Sequence, residues 1–143
     1  MTVTFLGHGD LAYDNRIENE VIECVEGLIN NGADRFFLGG YGNYDSMCAR
    51  VVNNLREKYP QIKSYLVIPY LNKKYDTVIY DDTIYPPIEN IPLRFAIVKR
   101  NEWMIDNSEI VVAYVMNSAG GAAKSVLYAQ RKNKIVINIA GLD

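Results

Sequence analysis

The sequence predicts an α/β fold, a doubly wound, mainly parallel sheet of about five strands flanked by helices. Three observations predict it. Short β-rich segments alternate along the chain with amphipathic segments of helical period. The runs IVVAYV (Ile110–Val115) and IVINI (Ile135–Ile139) are nearly continuous in apolar residues, as strands covered on both faces must be. Glycine-rich stretches stand where strands run into helices, the place at which such sheets hold ligands.

The elements follow in order. TVTFLG (Thr2–Gly7) is a first strand closing on glycine. Asp14 or Asn15 is suited to cap the helix that follows, in which Ile17, Val21, Val25, Leu28 and Ile29 recur at helical spacing until Asn31-Gly32 stops it. Phe36–Leu38 is a short second strand running into Gly39-Gly40-Tyr41-Gly42-Asn43. Asn43 or Asp45 is then suited to cap a helix with Met47, Val51 and Leu55 on its apolar face, ending before Pro60. Tyr65–Ile68 is a third strand. Beyond Ile110–Val115, a helix from about Ala119 to Lys132 leads to the last strand, Ile135–Ile139.

One stretch resists this pattern. Residues 70–92 are too long for an ordinary connection and carry Tyr70, Tyr75, Tyr80 and Tyr85 among lysines and aspartates. This tyrosine-rich insertion reads as a lid that folds over a ligand, or as an elaborated edge strand around Thr77–Tyr80. After it, Leu93–Asn107 reads as a helix with Phe95, Val98 and Ile105 inward, carrying also Arg94, Lys99, Arg100, Asn101 and Trp103.

The chain of 143 residues fits one domain, residues 1–143. A net charge of −2 supplies no whole-chain basic footprint, so a nucleic-acid partner is not expected. No apolar run approaches a membrane span and no leader is recognisable, which leads to the expectation of a cytoplasmic protein with no membrane partner. Cys24 and Cys48 stand alone in helical patterns and there is a single histidine, so neither a metal site nor a disulfide framework is expected. Eleven tyrosines against four phenylalanines and one tryptophan suit a lid or an interface as well as a core.

Right-handed crossovers place a crevice outside the carboxyl ends of the first strand and of Ile110–Val115. Three loops converge there: Gly7-His8-Gly9-Asp10, Gly39-Gly40-Tyr41-Gly42-Asn43, and Asn117-Ser118-Ala119-Gly120-Gly121. The last two open helices, whose free N–H groups and positive dipole ends favour an anion. Glycine lets a phosphate approach those amides closely. His8, between glycines at a strand end, is either structural or a hydrogen-bond donor to a phosphate. Asp45 either complements the helix dipole or holds a ribose hydroxyl. Arg94 and Arg100, six positions apart, point to different sides of a helix, so that one of them can clamp a phosphate.

Other motifs do not fit. Gly7–Ala12 matches the loose G-x-G-x-x-A dinucleotide pattern, but the helix starts too late and the second strand ends in Gly39-Gly40 rather than an acidic residue. There is no Walker lysine motif, no G-x-S-x-G elbow and no zinc-deaminase signature. No cofactor is implied.

FLGHG (Phe5–Gly9), GGYGNYD (Gly39–Asp45), PLRFAIVKRNEWM (Pro92–Met104) and SAGGAA (Ser118–Ala123), in that order, resemble the bacterial branch of the SLOG superfamily. This Rossmann-like group contains the LOG "lysine decarboxylase-like" phosphoribohydrolases, DNA-processing protein A and sensor domains of antiphage systems. The resemblance covers nearly the whole chain, with Gly9 standing where the group's pattern has an arginine. It implies a small stand-alone domain, bacterial or phage, with a nucleotide-type ligand on the glycine loops and at least a dimeric assembly. The ligand-binding residues so expected are Gly7, His8, Gly9, Gly39, Gly40, Tyr41, Gly42, Asp45, Arg94, Arg100, Asn101, Asn117, Ser118, Gly120 and Gly121.

In the LOG enzymes an arginine on the helix before the fourth strand works with a glutamate following a P-G-G-x-G-T loop. Arg100 takes the arginine's place, and counting onward puts the glutamate's position near Lys124. The P-G-G-x-G-T loop is missing, and no carboxylate lies between Asn117 and Asp143. Cleaving an N-glycosidic bond requires stabilising an oxocarbenium-like centre and activating water, which a carboxylate does and an ammonium does not. The sequence therefore favours a nucleotide-binding sensor or sequestering module over an enzyme. The alternative is a nucleotide N-glycosidase or transferase using Arg100 with a carboxylate from elsewhere: Asp10, Asp45, Glu102, Asp81 or Asp82. A single-stranded DNA binder ranks third.

Overall fold

In a computed structural model describing residues 1–12 and 14–141, the described residues form one six-stranded, all-parallel sheet. In chain order the elements are β1 (Thr2–Gly7), α1 (Asn15–Asn30), β2 (Arg35–Leu38), α2 (Asn43–Leu55), β3 (Lys63–Val67) and β4 (Asp82–Ile84). A 3₁₀ turn (Leu93–Phe95) then leads to α3 (Ala96–Asp106), β5 (Ile110–Tyr114), α4 (Gly121–Arg131) and β6 (Ile135–Asn138). The strand order is β4-β3-β2-β1-β5-β6. β1 is central, with Val3 opposite Phe36 on one side and Ile110 on the other.

Both faces of the sheet are covered. Val3, Phe5, Phe36, Leu38 and Val112 pack against Val21 and Val25 of α1 and Val51 and Val52 of α2. Leu6, Val111 and Ala113 pack on the other face with Ile105 of α3 and Ala123 and Ala129 of α4. Burial on both faces explains why β5 reads as an unbroken apolar run, and each buried valine or leucine contributes about 1.5–3 kcal/mol.

α1 follows the sequence closely: Asp14 caps it by accepting from the Arg16 N–H at 2.8 Å. α2 departs from it. The N-cap is Gly42, not Asn43 or Asp45, because the chain turns there with φ 90°, which only glycine adopts without strain. α4 starts at Gly121 behind an N-cap at Gly120, two residues later than the composition suggests.

The sixth strand, β4, lies within residues 70–92, beyond Thr77–Tyr80, which forms a turn closed by Tyr80 N–H to Thr77 C=O at 3.1 Å. Asp81 sets the start of the strand. Its carboxylate accepts from the Ser64 N–H at 2.8 Å and pairs with Arg56, while its own N–H bonds Ser64 C=O at 2.9 Å. An edge strand of sequence Asp-Thr-Ile, exposed at its first two residues, carries no hydrophobic pattern from which to read it.

The expected inward face of α3 also needs correction. Phe95 and Val98 point outward, 45% and 53% exposed, while Ala96, Arg100, Met104 and Ile105 are buried. The 3₁₀ turn displaces Phe95 from the helix proper, and the helix rotates to put Arg100 inside, where two carbonyls receive it.

Candidate functional site

β1 and β5 are neighbours whose following helices, α1 and α4, cover opposite faces, so the sheet's switch point lies at their carboxyl ends. A crevice of about 270 Å³ opens there. Its walls are the end of β1 with Gly7, His8 and Gly9, the side chains of Tyr41 and Asp45 from the loop and first turn after β2, Ile97, Arg100 and Asn101 of α3, and Gly121, Ala122 and Ser125 of α4.

Arg100 forms the base of one wall. It is only 2% exposed. Its Nη1 donates to Gly39 C=O at 2.8 Å and Val67 C=O at 2.7 Å, and its Nε to Asn101 Oδ1 at 2.9 Å. Nη2 makes no hydrogen bond among the described residues. Gly39 is required by close approach: a β-carbon there would lie 3.0 Å from the guanidinium carbon and 3.2 Å from Asp45 Oδ2. The arginine and the aspartate thus share the space above one glycine.

Asp45 is the one carboxylate lining the crevice among the described residues. It reaches back from the first turn of α2 to accept the Tyr41 N–H at 3.2 Å. Burial pushes its pKa up to about 6, against the opposing pull of the Tyr41 N–H and the Arg100 charge. Burial also lowers the Arg100 pKa, while Asp45 acts to raise it.

The loops are locked to one another. His8 Nε2 accepts the Met116 N–H at 2.9 Å, tying the loop after β1 to the loop after β5 and placing the ring proton on Nδ1 as a donor. A β-carbon on Gly42 would collide with the Gly9 α-carbon, and the Asn43 N–H donates to Gly9 C=O at 2.9 Å. One of the orphan donors of α2 is therefore already taken. Neither α2 nor α4 has a side-chain cap, and Gly121 and Ala122 of the first turn of α4 face the crevice.

Of the residues singled out by sequence, Gly7, His8, Gly9, Tyr41, Asp45, Arg100, Asn101 and Gly121 come together at this crevice. Gly39 lies beneath Arg100, and Gly42 backs Gly9. Gly40 lines a separate cavity with Tyr75 and Tyr80 on the other side of the loop. Arg94 is exposed, its guanidinium 4.8 Å from the Phe95 ring centre, and does not line the crevice. Asn117 and Ser118 border another cavity beside Asn138, while Gly120 and Asp10 are exposed outside the crevice. Lys124 is exposed in the groove between α3 and α4, and its neighbour Ser125 faces the crevice instead. Ile97, Ala122 and Ser125 were not legible as site residues. Their positions depend on helix registers, and Ser125 follows Gly121 by one helical turn once the start of α4 is known.

No helix among the described residues is long and apolar enough to cross a membrane. No family model matches the chain. A curated relative, the uncharacterized SPbeta prophage-derived protein YoqJ of Bacillus subtilis (strain 168), is 27% identical, with 81% of each chain covered. Among solved structures, the chain is similar to DNA processing protein A from Helicobacter pylori, which binds single-stranded DNA (TM-score 0.66, 18% identity, 95% of this chain and 63% of that one). It is also similar to the molybdenum cofactor carrier protein from Chlamydomonas reinhardtii (TM-score 0.62, 15% identity, 94% and 74%). The chain spans less than two thirds of the Helicobacter protein. These likenesses establish the fold.

Proposed function

We propose that this chain, a Rossmann-like domain of SLOG type, binds a nucleotide or nucleotide-derived small molecule in the switch-point crevice and acts as a sensor or sequestering module. The observation that carries the reading is Arg100, an almost fully buried guanidinium on the crevice wall with Nη2 uncommitted among the described residues. A guanidinium with one nitrogen uncommitted on a crevice wall suits an anionic ligand, with which it forms strong charge-assisted hydrogen bonds. The start of α4, which has no side-chain cap, adds N–H groups and a positive dipole end, and the Nδ1–H of His8 adds a directional donor. Asp45 supplies an acceptor suited to sugar hydroxyls.

Binding is favoured over turnover by what α4 presents. Its crevice-lining residues, Gly121, Ala122 and Ser125, hold no carboxylate to work opposite Arg100. Asp45 alone favours the second reading, N-glycosidic cleavage, since a pKa of about 6 suits a general acid or base near neutral pH.

One experiment separates the two. Calorimetry against a panel of mononucleotides, cyclic nucleotides and dinucleotides is expected to find a ligand, followed by mass spectrometry of the same samples. The expected result is saturable binding with the ligand recovered intact. Release of free base, lost in Asp45→Asn, would transfer the site to the enzyme reading. A panel without a binder would end the nucleotide reading.

A further inference from the structure

Gly40 belongs to the glycine loop but does not line the crevice. It lines a second cavity, of about 310 Å³, on the other side of the β2–α2 connection. Its φ is 67°, and a β-carbon there would lie 2.5 Å from Leu66 Cδ1 and 3.9 Å from the Tyr80 hydroxyl. Leu66 and Tyr80 are both part of the cavity lining, so any side chain at position 40 would crowd it, and glycine keeps it open. The tyrosine-rich insertion supplies Tyr75, Ile79 and Tyr80 to this cavity and nothing to the crevice.

Two opposite charges share this lining, Arg50 from α2 and Asp76 from the insertion, and they make no ion pair with each other. The carboxylate that Arg50 does meet is Glu18, at 3.8 Å, with the Arg50 side chain 49% exposed. Asp76 is exposed and uses Oδ1 to accept the Val78 N–H at 3.1 Å. The Tyr75 hydroxyl is buried without a well-formed hydrogen bond among the described residues, so this wall is not satisfied as a finished core would be. A cation and an anion held apart beside apolar side chains and two rings match a molecule that carries both charges and an apolar body.

We propose that this cavity binds a free α-amino acid with a large apolar side chain. Its carboxylate is matched by the planar donors of Arg50, and its ammonium by Asp76 and the tyrosine rings. Its side chain packs against Leu66, Ile79 and the same rings. The volume lies within the usual range of a small-molecule site, about 300–1,000 Å³. A ligand with one charge is matched less well: an anion answers Arg50 but is repelled by Asp76, and a cation meets the reverse. Neither Arg50 nor Asp76 lines the crevice, so nucleotide affinity there does not depend on them.

The test is calorimetry with L-phenylalanine, glycine, 3-phenylpropionate and 2-phenylethylamine on the wild type, Arg50→Gln and Asp76→Asn. Both positions are exposed, and Asp76→Asn keeps an acceptor for the Val78 N–H, so the fold tolerates the changes; thermal unfolding checks this. The wild type is expected to bind L-phenylalanine saturably and more tightly than the other three probes. Arg50→Gln is expected to lose about tenfold in affinity for L-phenylalanine and 3-phenylpropionate, with 2-phenylethylamine unchanged. Asp76→Asn is expected to lose about as much for L-phenylalanine and 2-phenylethylamine, with 3-phenylpropionate unchanged. Absence of L-phenylalanine binding to the wild type overturns the proposal and leaves the crevice reading standing. So does L-phenylalanine binding that neither variant weakens, since the ligand then sits elsewhere. A single-charge probe bound as tightly as L-phenylalanine overturns the need for both charges, and glycine bound as tightly overturns the role of the apolar walls.

Discussion

Asp45 sets the pH response of the site. Its ordinary pKa of 3.8 is raised to about 6 in the folded chain, with burial the largest cause. The folded state therefore holds this proton more tightly than the unfolded state does. That contribution to stability is fully present below the unfolded pKa and is lost as pH rises through about 6. A shift of this size amounts to at most about 3 kcal/mol between the two limits. Asp45→Asn cannot ionise and keeps an acceptor for the Tyr41 N–H. Thermal unfolding at pH 5 and pH 8 is therefore expected to show a smaller drop in Tm for the variant than for the wild type. Parallel pH profiles for the two proteins would count against this account of Asp45. Anion affinity follows the same sign: ionised Asp45 repels a phosphate beside Arg100, so the variant's advantage in affinity grows above pH 6.

At the scale of elements, the β2–α2 connection holds the site together. Gly39 C=O receives Arg100, and the space above Gly39 holds both the guanidinium and the Asp45 carboxylate. Gly39→Ala places a methyl group 3.0 Å from the guanidinium carbon, so Arg100 or the loop must shift. A loss of about 1–3 kcal/mol in denaturant unfolding is expected, with nucleotide affinity falling more than stability alone explains. Wild-type affinity in this variant would show that Arg100 position does not govern binding. The same connection shows what a sequence reveals. β5 was legible because burial on both faces writes a continuous apolar run, β1 because a β-rich segment closes on glycine, and the glycine loops because close approach admits little else. β4 was not legible, since its edge position leaves Asp82 and Thr83 in solvent. The face of α3 was misread because an arginine looks like a surface residue until the Gly39 and Val67 carbonyls that receive it are seen. The loop glycines of the site were thus predictable, whereas Ile97, Ala122 and Ser125 required the helix registers.

At the scale of the molecule, the crevice draws on both halves of the sheet. Asp45 and Tyr41 come from the β2–α2 side, Ala122 and Ser125 from α4 beyond β5, and Arg100 from α3 bridges to the carbonyls of Gly39 and Val67. A ligand seated there adds a further link between the β2–α2 connection and α4, beside the Arg100 bonds and the Tyr44 hydroxyl's bond to Val112 C=O. Binding the folded state alone at one hundred times Kd adds about 2.7 kcal/mol. At roughly 2–4 °C per kcal/mol for a chain of this size, Tm is expected to rise by about 5–11 °C. Hydrogen exchange locates the effect. A saturating nucleotide is expected to slow exchange in the first turn of α4 and in the loop at residues 39–42, leaving the middle of α1, on the far side of the core, unchanged. Because Arg100 is buried, that protection is expected to persist at 0.5 M salt, where loosely held surface anions are screened away. Protection confined to exposed lysine-bearing segments, or lost entirely in high salt, would mean that the ligand sits on the surface and not in the crevice.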